Sequence, residues 1–400
     1  MFFTAPTSFK VFTILSGCIL VFVGVSIASD ESRAACDRLA ASPNDPLFGS
    51  KGVEQLDIKG AAALDACRKA YEGAPDEPRF AFQLARAEQR LEDYDAARVH
   101  FSEAAKNGYP LAEVGLGILF ERGLGVGQNL EEARRHYELA AEQGVGVGLF
   151  NLAGFYLDGV GVPENPVRAA ELYRQAIDAG YEKAAGGLAE ALQHAWREGD
   201  DPAPVVEAYV KAADAGIGFA HRILGHFYRD GAFGLPVDPA AATAHYRIGW
   251  ELSDDWSGLY FAQILVSKND QKTEAVRILR SLIESEPGML KARAMALLSD
   301  IMRRRGDLQE AAALVEDALE IAPKDSAVLS SQAELLVLAF QLEEADQLLA
   351  EAIEQDPEWA PLHLQRASLQ TKLGDKDAAA ASLDRAAKAE AGRLFLGTYR

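Results

Sequence analysis

Apolar and small residues recur through the middle of this chain at helical spacing, and a longer period is laid over that spacing. From Tyr109 onward, Leu116 and Phe120 lie on one helical face, and Gly123, Gly125 and Gly127 break the pattern. Ala133, Tyr137, Ala140 and Ala141 then resume it. This predicts a helix, a turn and a second helix that stops at Gly144, because glycine accepts the left-handed conformation that helix ends use. Gly108, Gly144, Gly180 and Gly216 fall at one interval of 36 residues. Small residues (Gly117, Ala153, Ala189, Gly225) recur where neighbouring helices must approach. Tyr137, Tyr173, Tyr209 and Tyr246 recur where a ring must fill the space between hairpins, the last after a turn one residue longer. Two short helices bury too little surface to offset their ordering entropy, so the hairpins must stack on one another.

A related rhythm flanks this block. Asp76-Glu77-Pro78 opens a unit carrying Leu84, Ala85, Ala97, Phe101 and Ala104. After Ser253, further units are marked by Ala275, Leu279 and Pro287, by Ala311, Val315, Ala318 and Pro323, and by Ala345, Leu349, Ala352 and Pro357. A last unit has Ala367, Ala379, Leu383 and Ala386, and Ser257–Pro287 is the most degenerate of the set. No linker is long enough to divide the array, so one curved stack is expected, with its weak point at Trp250–Ser257 where the repeat type changes. In the third central copy Ala195 replaces the turn glycine and Asp200-Asp201-Pro202 replaces the glycine-rich segment. Its helices are expected, and its turn should differ.

The set Ala112, Leu116, Gly117, Phe120, Gly123, Gly125, Ala133, Tyr137, Ala140, Ala141 and Gly144 resembles the Sel-one-like repeat (SLR), and the flanking units resemble tetratricopeptide repeats. The resemblance implies an all-α protein, a right-handed α-solenoid of antiparallel helix hairpins. The implied boundaries are an amino-terminal cap at 29–74, a tetratricopeptide-like unit at 75–108, four SLR units at 109–253, four tetratricopeptide-like units at 254–390 and a tail at 391–400. In both families the first helix of each hairpin lines an inner groove, and bacterial SLR proteins act as adaptors in complex assembly and signalling.

Residues 1–28 end in an uncharged run from Val11 to Ala28 that reads as a cleaved secretory signal, with Ser26 and Ala28 ahead of the cleavage point, or as an uncleaved anchor. Leu15-Ser16-Gly17-Cys18 resembles a lipobox, although the strongest apolar stretch follows Cys18 instead of preceding it. All three readings place the body of the protein outside the cytoplasm, periplasmic or secreted. Beyond Cys18 two cysteines remain, Cys36 and Cys67, and an even count in an exported chain favours a disulfide pinning the cap. The competing reading is two separate buried thiols.

With 400 residues and 49% apolar content, the chain can bury a core that runs along a solenoid. A net charge of −20 without a basic stripe argues against nucleic acid and against adhesion to anionic lipid, leaving the amino-terminal segment as the only expected membrane contact. The glycine series at Gly123 and Gly144 superficially resemble nucleotide loops, but no strand precedes them and the repeat explains both. His221 and His226, five apart, do not share a helical face for a metal, and His136 is expected at the surface. Acidic pairs such as Glu131-Glu132 and Glu343-Glu344 sit at helix starts, where they complement the helix dipole. No nucleophile arrangement stands out, so no enzymatic activity and no cofactor are expected.

What remains is the groove. Carrying over the families' groove-facing positions gives Arg79, Phe82, Arg86, Arg90, Arg122, Phe150, Arg222, His226, Arg229, Tyr260 and Arg303, with Arg293 and Arg304 in the wider set. These positions are richer in basic residues than the chain as a whole, which favours an acidic protein segment or an anionic polysaccharide as ligand. Several of the arginines also lie at helix carboxyl ends, where the helix dipole favours cations regardless of any ligand. The aromatics are either anchors for a partner or packing between repeats. The leading expectation is a non-enzymatic scaffold that engages an envelope or secreted protein and regulates signalling or complex assembly. The alternative is a scaffold for exopolysaccharide synthesis or export that binds anionic glycan.

Overall fold

The computed structural model describes residues 30–267, 272–284 and 288–395; the expected signal or anchor at 1–28 and the last five residues of the expected tail lie outside them. Among the described residues the chain forms twenty α-helices and no strand. It divides into two compact units at Gln128–Asn129, beside the glycine-rich turn Gly123–Gly127. No division was expected from the sequence.

The first unit holds α1 (Asp30–Ala40), α2 (Gly60–Gly73), α3 (Pro78–Arg90), α4 (Tyr94–Lys106) and α5 (Leu111–Arg122). Each helix packs on the next, and α1 also reaches α3. The cap is held internally by a cysteine pair and tied to the hairpin by side-chain hydrogen bonds. Cys36 on α1 and Cys67 on α2 face each other at a Cα–Cα distance of 4.6 Å with their sulfurs paired. From α3, Arg86 reaches into the loop between α1 and α2: Nη1 donates to Ala40 O at 2.7 Å, Nη2 to Val53 O at 2.6 Å, and Nε to Gln55 Oε1 at 3.1 Å. The hydroxyl of Tyr109, ahead of α5, donates to Asp45 in the same loop.

The second unit continues with α6 (Leu130–Glu142), α7 (Gly146–Asp158), α8 (Pro166–Asp178), α9 (Ala184–Ala195), α10 (Ala203–Asp214), α11 (Gly218–Asp230) and α12 (Pro239–Glu251). It then runs through α13 (Asp255–Ser267), α14 (Lys272–Ile283), α15 (Met289–Arg305), α16 (Leu308–Ile321), α17 (Ser326–Leu338), α18 (Leu342–Gln355), α19 (Ala360–Leu373) and α20 (Lys376–Phe395). Consecutive helices pack as hairpins throughout. Side-chain caps begin several of them: Asn129 accepts from Glu132 N, Asn165 from Arg168 N, and Asp238 from Ala240 N and Ala241 N. Each such cap satisfies a backbone donor that the helix itself cannot.

The repeating tyrosines are buried, and the small residues recur where the rings press. A Cβ on Gly225 would stand 2.6 Å from the ring of Tyr246, and one on Gly187 would stand 2.5 Å from that of Tyr173. The helix-propensity penalty of glycine, about 1 kcal/mol, is accepted there because no larger residue leaves room for the ring. In the third central copy both helices form, but α9 ends on an extended Trp196 instead of a left-handed glycine. Asp200 then accepts from Arg197 N at 2.9 Å, and the Trp196 ring packs on Phe233 with centroids 5.0 Å apart.

The junction at Trp250–Ser257 is densely packed, contrary to expectation. A Cβ on Gly258 would lie 2.4 Å from Trp250, and one core runs without a break from Tyr246 through Leu259, Leu265, Ile278 and Leu298 to Ala311. A change of repeat type does not weaken the stack when the facing side chains still interdigitate. His136, expected at the surface, is buried beside Tyr137.

Candidate functional site

The first helices of successive hairpins in the second unit, α11, α13, α15 and α17, lie side by side, and the start of α19 completes the row. Their shared face forms a cleft of about 610 Å³. Tyr246, Tyr260, Trp359, Leu259, Ile264 and Leu297 give it apolar walls, and Gln263, Ser326 and Ser330 add polar groups. Arg229, Arg293, Asp300 and Asp356 bring charge to the same surface. The Tyr246 and Tyr260 rings stack with centroids 5.4 Å apart, which holds Tyr260 against the wall. An apolar lining with a few placed polar groups is the usual make-up of a binding cleft.

The arginines here are already engaged. Arg229 donates from Nε and Nη2 to the two carboxylate oxygens of Asp230, both at 2.8 Å. Arg293 Nε donates to Asp325 Oδ2 at 2.9 Å, while the other oxygen of Asp325 caps α17 through Ala327 N and Val328 N. Arg303 stands 3.6 Å from Asp300 Oδ1 and 3.4 Å from Glu334 Oε2. Asp300 Oδ1 is buried without a hydrogen bond, and burial raises the carboxyl's pKa against the opposing pull of Arg303 and Arg304. The premise of a basic groove poised for an anion therefore fails at this cleft, because its cations have carboxylate partners within the fold.

Of the groove positions read from sequence, the structure brings Arg229 and Tyr260 together in the cleft, with Arg293 from the wider set, and places Arg303 beside Asp300. His226 is buried, sharing a 2.7 Å hydrogen bond with the Tyr246 hydroxyl, and burial together with Arg229 and Arg222 holds its pKa down to about 2. It is a neutral core group and not a surface contact. Arg222 pairs with Asp254 at 3.2 Å, and Phe150 lies between Tyr173 and Tyr181, with centroids 5.5 and 5.3 Å away.

The remaining positions belong to the first unit. Phe82 is buried against Phe101 and Tyr109, and Arg86 is buried in the cap contact, so neither is available at a surface. The reasons differ: the cap takes up the Arg86 guanidinium, whereas Phe82 is covered by Phe101 of its own hairpin and by Tyr109. Arg79 pairs with Glu77 at 3.1 Å and Asp37 at 3.8 Å, Arg90 Nε donates to Leu56 O at 3.3 Å, and Arg122 is exposed at the end of α5.

Sequence reasoning missed Gln263, Asp300, Ser326, Ser330, Asp356 and Trp359. Asp356 and Trp359 flank Pro357 in the connection to α19 instead of sitting inside a first helix, and the uncharged residues carry no periodic signal.

The profile described as Sel1 repeat matches residues 82–109, 110–145, 146–181 and 218–253, and a tetratricopeptide-repeat profile matches 269–335. The unit at 75–108, read from spacing as tetratricopeptide-like, is thus matched over 82–109 by the Sel1 profile, and the irregular third copy is left unmatched. Among solved structures, the SLR-fold protective antigen of uropathogenic Escherichia coli aligns over 86% of this chain and 76% of that one, at 22% identity and a TM-score of 0.61. A Sel1 repeat protein from Oxalobacter formigenes aligns over 55% of this chain and 86% of that one, at 24% identity and a TM-score of 0.45. A TPR repeat-containing thioredoxin of Arabidopsis thaliana is 36% identical over 78 residues, 20% of this chain. The match spans only 11% of the length of that curated relative. With hairpins packed one after another and both repeat signatures carried in order, the chain belongs to the Sel1-repeat proteins, with a tetratricopeptide-repeat segment following the Sel1 block.

Proposed function

We propose that this protein is an exported, non-enzymatic adaptor that receives an extended segment of an envelope protein in the cleft between α11 and α19. The cleft carries the reading: a half-apolar, half-polar trough about 610 Å³ in volume, set on the first helices of successive repeats, which accommodates a chain of several residues. Sel1 and tetratricopeptide repeats are those of protein-binding scaffolds, and both are typically non-catalytic. Export is supported by the leader-like run at 11–28 and by the paired sulfurs of Cys36 and Cys67, a geometry suited to an oxidising compartment. Regulation of signalling or of complex assembly follows if the bound protein is a receptor or an assembly component.

A photo-crosslinking residue placed at Gln263, exposed in the cleft, is expected to trap a protein partner, and the same group at Glu316 on α16 is not. Trp359→Ala should remove the Gln263 adduct. Equal adducts at both positions, or none at Gln263, would overturn the binding site. For the export reading, peptide mapping without reductant should recover Cys36 and Cys67 as one linked species. Two free thiols in protein taken from the envelope would remove that support. Closure of a loop of this length is worth about 3–4 kcal/mol, so reductant should also lower the melting temperature of the first unit.

A further inference from the structure

The cleft's chemistry favours one sign of ligand. We infer that it selects a basic protein segment, a lysine or arginine drawn to the Asp300 and Asp356 carboxylates beside an apolar or aromatic side chain laid against Tyr260 and Trp359. This rests on the cleft being the partner site and adds the chemical class of what enters it.

Two observations carry it. The first is engagement. An anion approaching Arg229 must compete with a two-pronged contact to Asp230, and one approaching Arg293 must compete with Asp325, which is itself fixed by capping α17. Drawing either arginine away would cost its carboxylate an ion pair, so an acidic ligand gains little there. The second is the unmet group. Asp300 lines the cleft with Oδ1 buried and unbonded, and its nearest guanidinium is 3.6 Å away, beyond hydrogen-bonding distance. A half-buried carboxylate whose inner oxygen lacks a donor is under-compensated, and an ammonium or guanidinium arriving at its exposed side in the cleft supplies opposing charge. Two arginines (Arg229, Arg293) and two carboxylates (Asp300, Asp356) line the cleft, and each of those arginines is already paired with a further carboxylate, Asp230 or Asp325. The chain's overall charge of −20 steers a basic segment in the same direction.

The test uses the purified chain and three labelled peptides of one pattern, in which tryptophan alternates with lysine, glutamine or glutamate, with alginate as a polyanion. The lysine peptide is expected to bind about tenfold more tightly than the glutamate peptide, a difference of about 1.4 kcal/mol, and to lose its advantage as salt is raised. Asp300→Asn, nearly isosteric, should weaken the lysine peptide about fivefold while leaving the glutamine peptide unchanged. Asp356→Asn provides the same reading from the α18–α19 connection if the Asp300 variant unfolds. Glu316→Gln, on an exposed position that does not line the cleft, controls for general attraction to an acidic protein and should change nothing. The inference is overturned if the glutamate peptide or alginate binds as well as the lysine peptide, if no peptide distinguishes charge, or if Glu316→Gln reduces binding as much as the cleft variants. In each of these cases a surviving Gln263 adduct would leave the protein-binding reading standing, whereas loss of the adduct would remove both.

Discussion

Replacing Arg86 with methionine is expected to lower the stability of the first unit by about 3 kcal/mol. Arg86 is only 6% exposed, yet its guanidinium donates to Ala40 O, Val53 O and Gln55 Oε1, tying the loop between α1 and α2 to α3. Gln55 returns a hydrogen bond to Arg86 O at 2.9 Å, so the contact closes on itself. Burial lowers the arginine's pKa to about 10, which still leaves it charged at neutral pH and its hydrogen bonds charge-assisted. Methionine fills similar volume but orphans two backbone carbonyls, at about 1–3 kcal/mol each, a loss only partly offset by no longer burying a charge. Lysine keeps the charge and should be intermediate, because one ammonium cannot serve acceptors that a planar fork spans. Thermal unfolding and amide exchange over residues 40–57 would check this, with Lys106→Met, exposed at the end of α4, as the comparison. Equal melting of Arg86→Met and Lys106→Met would show that the cap is not held through this side chain.

The second large effect is on pH. Lowering the pH from 7 to 5 is expected to destabilise the second unit by about 2 kcal/mol through His226. Its folded pKa, about 2, lies far below the ordinary histidine value because the ring is buried and faces Arg229 and Arg222, with Tyr246 and Tyr260 as its other neighbours. Between those two values the unfolded chain binds a proton that the folded one does not. Stability is therefore fully present above the unfolded value near pH 6.5 and is lost as the pH falls below it. His221 and His245, 3.0 Å apart, are both pushed down mainly by burial and act in the same direction. His100 in the first unit is pushed up, chiefly by its hydrogen bond to Glu88, and acts in the opposite direction. Denaturant unfolding at both pH values, compared with His226→Gln, isolates the term: the variant should lose most of the pH dependence even if its neutral stability is lower. A His226 imidazole whose proton resonances shift between pH 8 and 5 in the folded protein would contradict this account.

The fold was legible because the signals that define it are local and repeated. Glycines at one interval, tyrosines at another and alanines between them report a contact that every hairpin makes with its neighbour, so one copy predicts the next. The site was less legible. A family's groove positions identify a face of a helix, but they do not say whether that face is open, and in the first unit the cap covers it at Arg86 while Phe101 and Tyr109 cover it at Phe82. Charge misled for a related reason. Arg229 and Arg293 read as available cations because their partners, Asp230 and Asp325, sit at positions that any helix boundary would explain.

Periodicity alone determined that this chain is all-helical and that its helices come in pairs, because nearest-neighbour packing writes itself into every copy; the residues repeated in its central block carried the resemblance to Sel1 repeats. Only the tertiary structure decided which cations are spent, which carboxyl is left under-compensated, where the units divide and which histidine is sealed from water. Those properties depend on side chains that meet across tens of residues, such as Arg86 with Ala40 or Arg293 with Asp325, and no local spacing records such a meeting.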